Sequence, residues 1–487
     1  MKKKNHFIAY MIAIMIMLFS VPVKAQTKTG YAQWDSTNKI LTFYGGESVP
    51  EGNNYYSLDV GKWGEPKWDD VKEVTDNCIT VKFDESFKDV RPTSCCMWFQ
   101  YFSALQTIEG IENLNTEEVT NMNSMFGSCV KRETLDLSSF NTKKVTDMTS
   151  MFLGCINLNS LDLSSFNTGE VTSMWSMFQS CSNLKTIYVS DKFTTEKLTE
   201  GTFSGDTNMF SGCSQLVNYS EENTGKSMAN YNTGYFKTYY KIGDEEKVEL
   251  CGYPLQTEKS LVLSDDKNFV AHAPFTANSV SYTRNLSSST SKWYTLCLPF
   301  AYNTPSNFNA YQLRSATDNY VEIEEITGTI AAGTPIIFKF IDGDEKNIKI
   351  SATGAEIEND PGMASTTGID CQLCGTYQKM IFSSQDYNTF IIYKDKLMNP
   401  AKMMENNNAT TVGLKPFHAY MTMTSQASPK FFSIGSGDED TTAIDLLNSV
   451  ATDDAEYYDI NGRRIDAPVK GVNIVRRGNK TIKLIIK

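Results

Sequence analysis

The chain has 487 residues, a formal net charge of −12, 11 cysteines and 3 histidines. The negative charge argues against a general nucleic-acid binder, and 11 cysteines are too few for a disulfide scaffold in a chain of this length. This length leaves room for about three domains.

Residues 1–25 predict a secretory signal. Three lysines precede an apolar run of 13 residues from Phe7 to Phe19, and Ala25 is a small residue suited to signal-peptidase cleavage. An N-terminal membrane anchor is the alternative, but the run is too short to span a bilayer as a mature helix. No later stretch is long and apolar enough to cross, so we expect a secreted or surface protein with no transmembrane span in the mature chain.

Residues 26–96 predict short strands, among them residues 40–44 and 78–83, bounded by Gly, Pro and Asn turns. We expect this segment to form an N-terminal β cap on the first unit of the region that follows.

Residues 97–220 carry an internal repeat with a period of 26 residues. The segment LDLSSFNTKKVTDMTSMFLGCINLNS begins at Leu135, and LDLSSFNTGEVTSMWSMFQSCSNLKT begins at Leu161. Leu135 and Leu137 alternate as a strand does. The apolar residues from Val145 to Leu158 recur at three- and four-residue steps, which predicts one face of a helix. Neither piece can bury its apolar face alone, so roughly four to five such rungs should stack as a solenoid.

The repeated columns have alternative interpretations. A column of cysteines suggests a stack of thiols for metal binding or disulfides, but equivalent side chains in stacked rungs point the same way, which is poor geometry for a disulfide. We predict buried core residues instead, because Cys is often fully buried. The methionines should pack likewise, and the asparagines should bond backbone groups in turns. These columns comprise Cys129, Cys155, Cys181, Cys213, Met125, Met151, Met177, Asn115, Asn141 and Asn167.

One position breaks its column. Trp175 takes the place held by Asn123 and Thr149, both polar. An exposed tryptophan among polar equivalents is a candidate ligand contact. The alternative is that Trp175 packs against a neighbouring loop or domain.

The repeat pattern, MFxxCxxLxxLDLSSFNTxxVTxM, resembles that of the BspA-type leucine-rich-repeat surface proteins of bacteria, from about Trp98 to Leu216. The lead-in from Tyr31 to Asp35 and from Val81 to Phe87 is similar as well. The resemblance implies a short leucine-rich-repeat-like α/β solenoid displayed at the cell surface for adhesion or protein–protein contact. It implies no catalytic residues.

The remaining segments are predicted from composition. Residues 221–234 read as a linker, and residues 235–434 as an all-β, sandwich-like domain of many short strands. Residues 435–453 form an acidic linker. The fold class is therefore mixed but mainly β, with the solenoid between a β cap and a larger β domain.

Residues 454–487 predict a C-terminal hairpin at Asn461-Gly462. From Arg463 onward there are eight Lys and Arg residues and one Asp. This tail resembles the C-terminal sorting domain of type IX secretion cargo, which would place the protein on the outer face of the outer membrane. The alternative is a small hairpin that packs on the β domain.

The sequence carries few signs of catalysis. His272 and His418 are the histidines of the mature chain, and nothing marks a nucleophile partner for either. Cys371 and Cys374 are spaced as half a zinc site without a second pair, so a local disulfide or two core thiols is the better interpretation. We expect no enzyme, no cofactor and no metal.

Two functions remain, beside a third option in which the protein is a structural spacer that displays nothing specific. The first is adhesion or protein–protein interaction through the solenoid, with a protein or glycan on a host or neighbouring cell as partner. The second is accessory glycan binding or degradation by the β domain, where paired carboxylates could act.

Overall fold

The computed structural model describes residues 28–486, except 59–60, 62–63, 199–207, 232, 253, 318–319, 366–370, 408–410, 424–430, 436–455, 460–462, 466–470 and 478–479. The predicted signal and nearly all of the predicted acidic linker therefore lie outside the described residues. The chain divides into two compact units, Met1–Thr238 and Tyr239–Lys487. With 38% of residues in strands and 6% in helices, the protein is mainly β, as the sequence predicted.

Unit 1 begins with a five-stranded sheet in the order β3-β1-β2-β4-β5, antiparallel among β1, β2 and β3 and parallel from β2 to β5. A parallel sheet of β6, β7 and β8 follows. Alternating residues of β1 and β2 face the core, which is the burial pattern their sequences predict. The elements are β1 (Thr29–Asp35), β2 (Ile40–Gly46), β3 (Tyr55–Ser57), α1 (Lys72–Asn77), β4 (Thr80–Phe83), β5 (Thr107–Glu109), β6 (Ser160–Leu163), β7 (Thr186–Val189) and β8 (Phe236–Lys237), with short 3₁₀ turns at Glu85–Asp89, Ile111–Asn113 and Lys226–Met228.

The segment of each repeat that was predicted to be helical is instead a column of turns. No α-helix occurs between residues 93 and 198, all of which the structure describes. Ser124, Ser150 and Ser176 have φ angles of 54°, 54° and 55°, in the left-handed region that an α-helix cannot contain. The expectation of a helical side to the solenoid was therefore wrong.

The spacing misled because these turns repeat every three to four residues, as a helix does. Within a rung, Met125 N donates to Met122 O at 3.2 Å, and Cys129 N donates to Phe126 O at 3.2 Å. The amides between them point along the stack: Phe126 N donates to Met151 O of the next rung at 2.9 Å. The apolar residues face inward at helical spacing while the amides join neighbouring rungs.

One core runs through the β cap and all the rungs, from Ala32 to Phe236. Its axis is a column of stacked phenylalanines whose ring centroids are 5.9 Å apart for Phe126–Phe152, 5.8 Å for Phe152–Phe178 and 5.4 Å for Phe178–Phe210. Because the β cap and the rungs contribute residues to the same core, the predicted cap and solenoid fold as one body.

The first rung is capped by a tryptophan. In the later rungs, the carbonyl oxygen equivalent to Trp98 O accepts a hydrogen bond from a backbone amide of the preceding rung. No rung precedes the one that contains Trp98, so no such amide is present for Trp98 O. The indole Nε1 of Trp68 donates to this oxygen at 2.7 Å, and both side chains are buried. An unpaired buried carbonyl would cost about 1–3 kcal/mol, so Trp68 closes the first rung.

The last rung is capped by residues at and before the predicted 221–234 linker. Phe210 N donates to Thr224 O at 2.9 Å, and Gly212 N donates to the phenolic oxygen of Tyr219 at 2.7 Å. Each of these two amides is the last in a column of amides that join one rung to the next. The segment that accepts their hydrogen bonds therefore closes the stack as well as leading out of it.

Unit 2 is built on a ten-stranded sheet in the order β15-β20-β17-β18-β29-β26-β25-β28-β23-β22, with smaller sheets beside it. Its early strands are β9 (Tyr239–Ile242), β10 (Val248–Glu249), β11 (Gln256–Thr257), β12 (Leu261–Ser264), β13 (Phe269–Ala271), β14 (Phe275–Asn285), β15 (Trp293–Leu296), β16 (Tyr302–Asn303), β17 (Phe308–Thr317), β18 (Tyr320–Ile326), β19 (Thr329–Ile330), β20 (Ile336–Phe340) and β21 (Asn347–Ile357). The later ones are β22 (Met363–Ser365), β23 (Cys371–Gly375), β24 (Met380–Phe382), β25 (Thr389–Tyr393), β26 (Lys396–Met398), β27 (Val412–Leu414), β28 (Ala419–Met423) and β29 (Phe431–Gly435).

One helix, α2 (Pro400–Asn407), interrupts the region predicted to be all-β. Asn399 caps it, because its Oδ1 accepts a hydrogen bond from Lys402 N at 3.0 Å and Pro400 opens the first turn. The prediction of an all-β domain was wrong at this helix.

The tail forms a four-stranded antiparallel sheet in the order β31-β30-β32-β33, comprising β30 (Glu456–Asp459), β31 (Arg464–Ile465), β32 (Gly471–Arg477) and β33 (Lys480–Ile486). Tyr457 pairs with Ile465 across the first two strands, while Asn461-Gly462 lies outside the described residues. In the part of the chain that the structure covers, no helix has the length and apolar character needed to cross a membrane.

Candidate binding surface

The repeated cysteines donate hydrogen bonds within the core. The thiols of Cys129 and Cys155 each lie 3.1 Å from the carbonyl oxygen of a phenylalanine in the preceding rung, and the corresponding distances for Cys181 and Cys213 are 3.0 and 2.9 Å. Burial raises the pKa of the Cys155 thiol to about 12. All eleven cysteines are free thiols, and the described residues contain no cluster of three or more His, Cys, Asp or Glu arranged to hold a metal ion.

The methionine and asparagine columns occupy the inside and the turns of each rung. Met125, Met151 and Met177 are fully buried. Each asparagine Oδ1 accepts a backbone amide two residues further on, at 2.9 Å for Asn115, 3.2 Å for Asn141 and 3.1 Å for Asn167.

A column of threonines that was not predicted from the sequence links the rungs. The hydroxyl of Thr142 donates to Asn167 O at 2.9 Å and accepts from Asn167 N at 2.8 Å, and Thr116 and Thr168 make the same pair of bonds to the next rung. All three threonines are buried. The repeated Asn-Thr dipeptide is the sequence signal for this column.

The surface of the repeat varies over a constant interior. Of the 26 positions in the copies that begin at Leu135 and Leu161, 9 differ, and none of these is buried in either copy. The 11 positions that are buried hold the same residue in both. Conserving the packing while changing the exterior is what a scaffold that presents side chains to a partner requires.

One side of the first four rungs presents polar side chains, which we call the polar strip. Its first column lies at isolated parallel bridges between the four rungs, and its second column lies two residues further along the second, third and fourth rungs. The columns are Ser94, Asn121, Asp147 and Ser173, and then Asn123, Thr149 and Trp175. Thr149 Oγ1 and Ser173 Oγ are 2.7 Å apart, and Asn123 Nδ2 donates to Asp147 Oδ2 at 3.4 Å. Trp175 is half-buried at the far end of the strip.

Apolar and charged groups lie elsewhere on the rungs. Tyr101, Ile156 and Val217 are 57%, 43% and 60% exposed. Lys144 pairs with Glu118 of the preceding rung at 2.7 Å. An exposed pair of this kind contributes about 0–1 kcal/mol, so it adds little to the stability of the rungs.

Unit 2 contains a buried polar cluster whose members lie far apart in the sequence and were not predicted to meet. The guanidinium of Arg284 lies 2.9 Å from Asp265 and donates to Thr295 O at 2.7 Å and Phe417 O at 3.1 Å. His418 Nδ1 is 3.2 Å from Arg284 Nη2. Burial, and after it the charge of Arg284, hold the pKa of His418 well below its usual value. The imidazole is therefore neutral, and the cluster fixes β14 to the loop before β28.

Asp265 also borders a cleft of about 580 Å³. Two of the four acids that line it pair with lysines, Asp266 with Lys415 at 3.1 Å and Glu245 with Lys267. The exposed tyrosines of unit 2, Tyr387 and Tyr393, are not among its lining residues.

The other residues noted for chemistry lie in packed positions. His272 stacks edge-on against Tyr239 with centroids 4.5 Å apart. Cys371 belongs to an apolar cluster, and the sulfur of Cys374 lies 3.7 Å from Thr422 Oγ1. Both are free thiols.

Comparison with known proteins gives one match. A family model described as "Mycoplasma protein of unknown function, DUF285" matches residues 93–223, which are the rungs and the start of their C-terminal cap. No curated protein and no solved structure matched the chain. The chain is therefore similar, over its repeat, to a bacterial repeat family without an assigned function.

Proposed function

We propose that this protein is an exported cell-surface binding protein that engages a partner through the outward positions of its rungs. The observation that carries the proposal is the confinement of differences between repeats to non-buried positions. The resemblance to BspA-type leucine-rich-repeat surface proteins and the family match over residues 93–223 support it. The partner is a protein or glycan on a host or neighbouring cell.

Export is part of the proposal. Residues 1–25 would direct secretion, and the basic tail with strands β30 to β33 would act as a sorting domain that leaves the protein on the outer face of the outer membrane. Surface proteolysis of intact cells, with mass spectrometry of the mature C-terminus, tests this. A full-length tail on a protein confined within the cell would contradict it.

The binding experiment uses substitutions that the chain itself supplies. Trp175→Thr and Ile156→Ser each replace a residue with its counterpart in the adjacent repeat, Thr149 and Ser182, so the rung should still fold. The chain from residue 26 is presented to arrays of extracellular-matrix proteins and glycans. The double variant should lose the captured ligand, while Ile381→Thr, at a 65% exposed site in unit 2, should retain it.

The second candidate is glycan binding or degradation in unit 2, favoured by the cleft beside Asp265 and Asp266. The same arrays distinguish it from the first. Ligand binding that survives the double variant but is lost in Asp266→Asn would place the function in unit 2 and overturn the proposal for the rungs.

A further inference from the structure

A cleft of about 530 Å³ opens where the β cap meets the first rung. Thr93 and Ser94 of that rung form one wall, and Ser94 is also the first residue of the polar strip. The charged side chains that line it are Lys28 and Arg91, and both are cationic. Val49 and Val90 add apolar surface.

The arginine is held in a fixed orientation. Arg91 Nη1 donates to Lys88 O at 2.7 Å and to Val90 O at 3.1 Å. No described residue accepts a hydrogen bond from its Nε or Nη2. Lys28 pairs with Asp89 at 3.0 Å, and both side chains are partly exposed. A guanidinium fixed through one nitrogen can present its remaining edge to a carboxylate or sulfate in two parallel hydrogen bonds.

From this cleft the polar strip continues along the rungs. Ser94, Asn121, Asp147 and Ser173 are bridged in succession, so three steps of about 4.8 Å give the strip a length of about 14 Å. Trp175 lies at its far end. Hydroxyl, amide and carboxylate groups beside an indole provide donors and acceptors together with a flat apolar surface.

The backbone along the strip is already paired. Met97 N donates to Asn123 O at 2.8 Å, Ser124 N to Thr149 O at 2.8 Å, and Ser150 N to Trp175 O at 2.8 Å. An extended peptide therefore cannot add to the ladder through its main chain at these carbonyls. Recognition must therefore use the side chains of the polar strip. Such recognition suits a ligand whose polar groups are attached to rings, as the hydroxyl groups of a sugar are.

We propose that the cleft and the polar strip together form a binding site for an acidic oligosaccharide. Its carboxylate or sulfate is held by Arg91 and Lys28, and its neutral rings lie along the strip toward Trp175. The proposal rests on the binding function proposed for the rungs and names its ligand class. The chain is acidic as a whole, so its net charge does not attract such a ligand and the local cations must provide the attraction.

The test measures binding of the whole chain from residue 26 to immobilised heparin, polygalacturonate and neutral dextran. Binding is expected to at least one of the two acidic polymers and not to dextran, and to weaken as salt is raised. Arg91→Gln should weaken it about tenfold, and Arg91→Lys less. Trp175→Thr should also weaken it. Lys144→Gln removes a cation from another part of the rungs and should leave binding unchanged.

The outcomes separate this proposal from the previous one. Equal binding to dextran, equal losses in Arg91→Gln and Lys144→Gln, or no binding to either acidic polymer would overturn it. Thermal unfolding of each variant identifies a loss caused by misfolding, and Arg91→Lys then decides the result. If the rungs capture a protein but neither acidic polymer, the acidic-oligosaccharide site is wrong and the binding function stands.

Discussion

The buried threonine column gives the sharpest test of how the rungs are held together. In Thr142→Val the shape is kept, but Asn167 N loses its acceptor at 2.8 Å and Asn167 O loses its donor at 2.9 Å. Thr142 is 1% exposed, so little water can replace the hydroxyl. Each of the two backbone groups left unsatisfied costs about 1–3 kcal/mol, so we expect the free energy of unfolding of unit 1 to fall by about 2–6 kcal/mol.

Thr146→Val is the matched control, four residues away in the same rung. Its hydroxyl donates to Thr120 O at 3.1 Å, but Thr146 N already donates to that oxygen at 2.9 Å, and the side chain is exposed. We expect a loss within about 0.5 kcal/mol. Urea unfolding followed by tryptophan fluorescence reports on unit 1, which contains five of the six tryptophans. Equal losses in the two variants would refute the role assigned to the buried column.

Three further predictions concern titration and thiol access. Burial, followed by the charges of Asp70 and Glu65, raises the pKa of Asp69 to about 6, so the folded state holds a proton that the unfolded state releases near pH 4. Asp69→Asn should therefore raise the thermal midpoint of unit 1 when it is measured above about pH 6, and leave it unchanged when it is measured at about pH 4. An effect that does not depend on pH would contradict this. Because the pKa of His418 is lowered in the folded state, unit 2 should lose stability as pH falls below about 6.5, by up to about 1.4 kcal/mol per pH unit. Hydrogen exchange of peptides from β14 and β28 measures this loss, and its dependence on pH should be weaker in His418→Asn. Cys251 is exposed while the other ten cysteines are buried. A thiol reagent should therefore modify one cysteine per folded chain, and none in Cys251→Ser. A second rapidly reacting thiol would show that the rungs open.

The period and the inward columns of the repeat could be predicted because identical copies place the same side chains in the same environment. The local conformation could not, since turns with bonds between residues three apart give Met122, Met125 and Cys129 the spacing of a helix. Left-handed serines such as Ser124 carry no sequence mark of their conformation, which is usual for Gly and Asn and rare for Ser.

Long-range partners were also beyond a single sequence. Trp68 and Trp98 are 30 positions apart, and Arg284 and His418 are 134 positions apart. Nothing in periodicity or composition pairs them, because their contacts depend on how strands far apart in the chain come together. Helix α2 is different, since Asn399 followed by Pro400 is a helix start that can be recognised in the sequence.

The two caps have a consequence for the length of the molecule. Trp68 closes the first rung and Tyr219 the last, and the repeated backbone and threonine hydrogen bonds join each rung between them to the neighbouring rungs. An additional copy of 26 residues would return the chain to the same register, meet the same donors and acceptors, and leave both caps undisturbed. The length of the stack can therefore change by whole rungs, each lengthening the exposed face by about 4.8 Å, without any other part of the protein being redesigned.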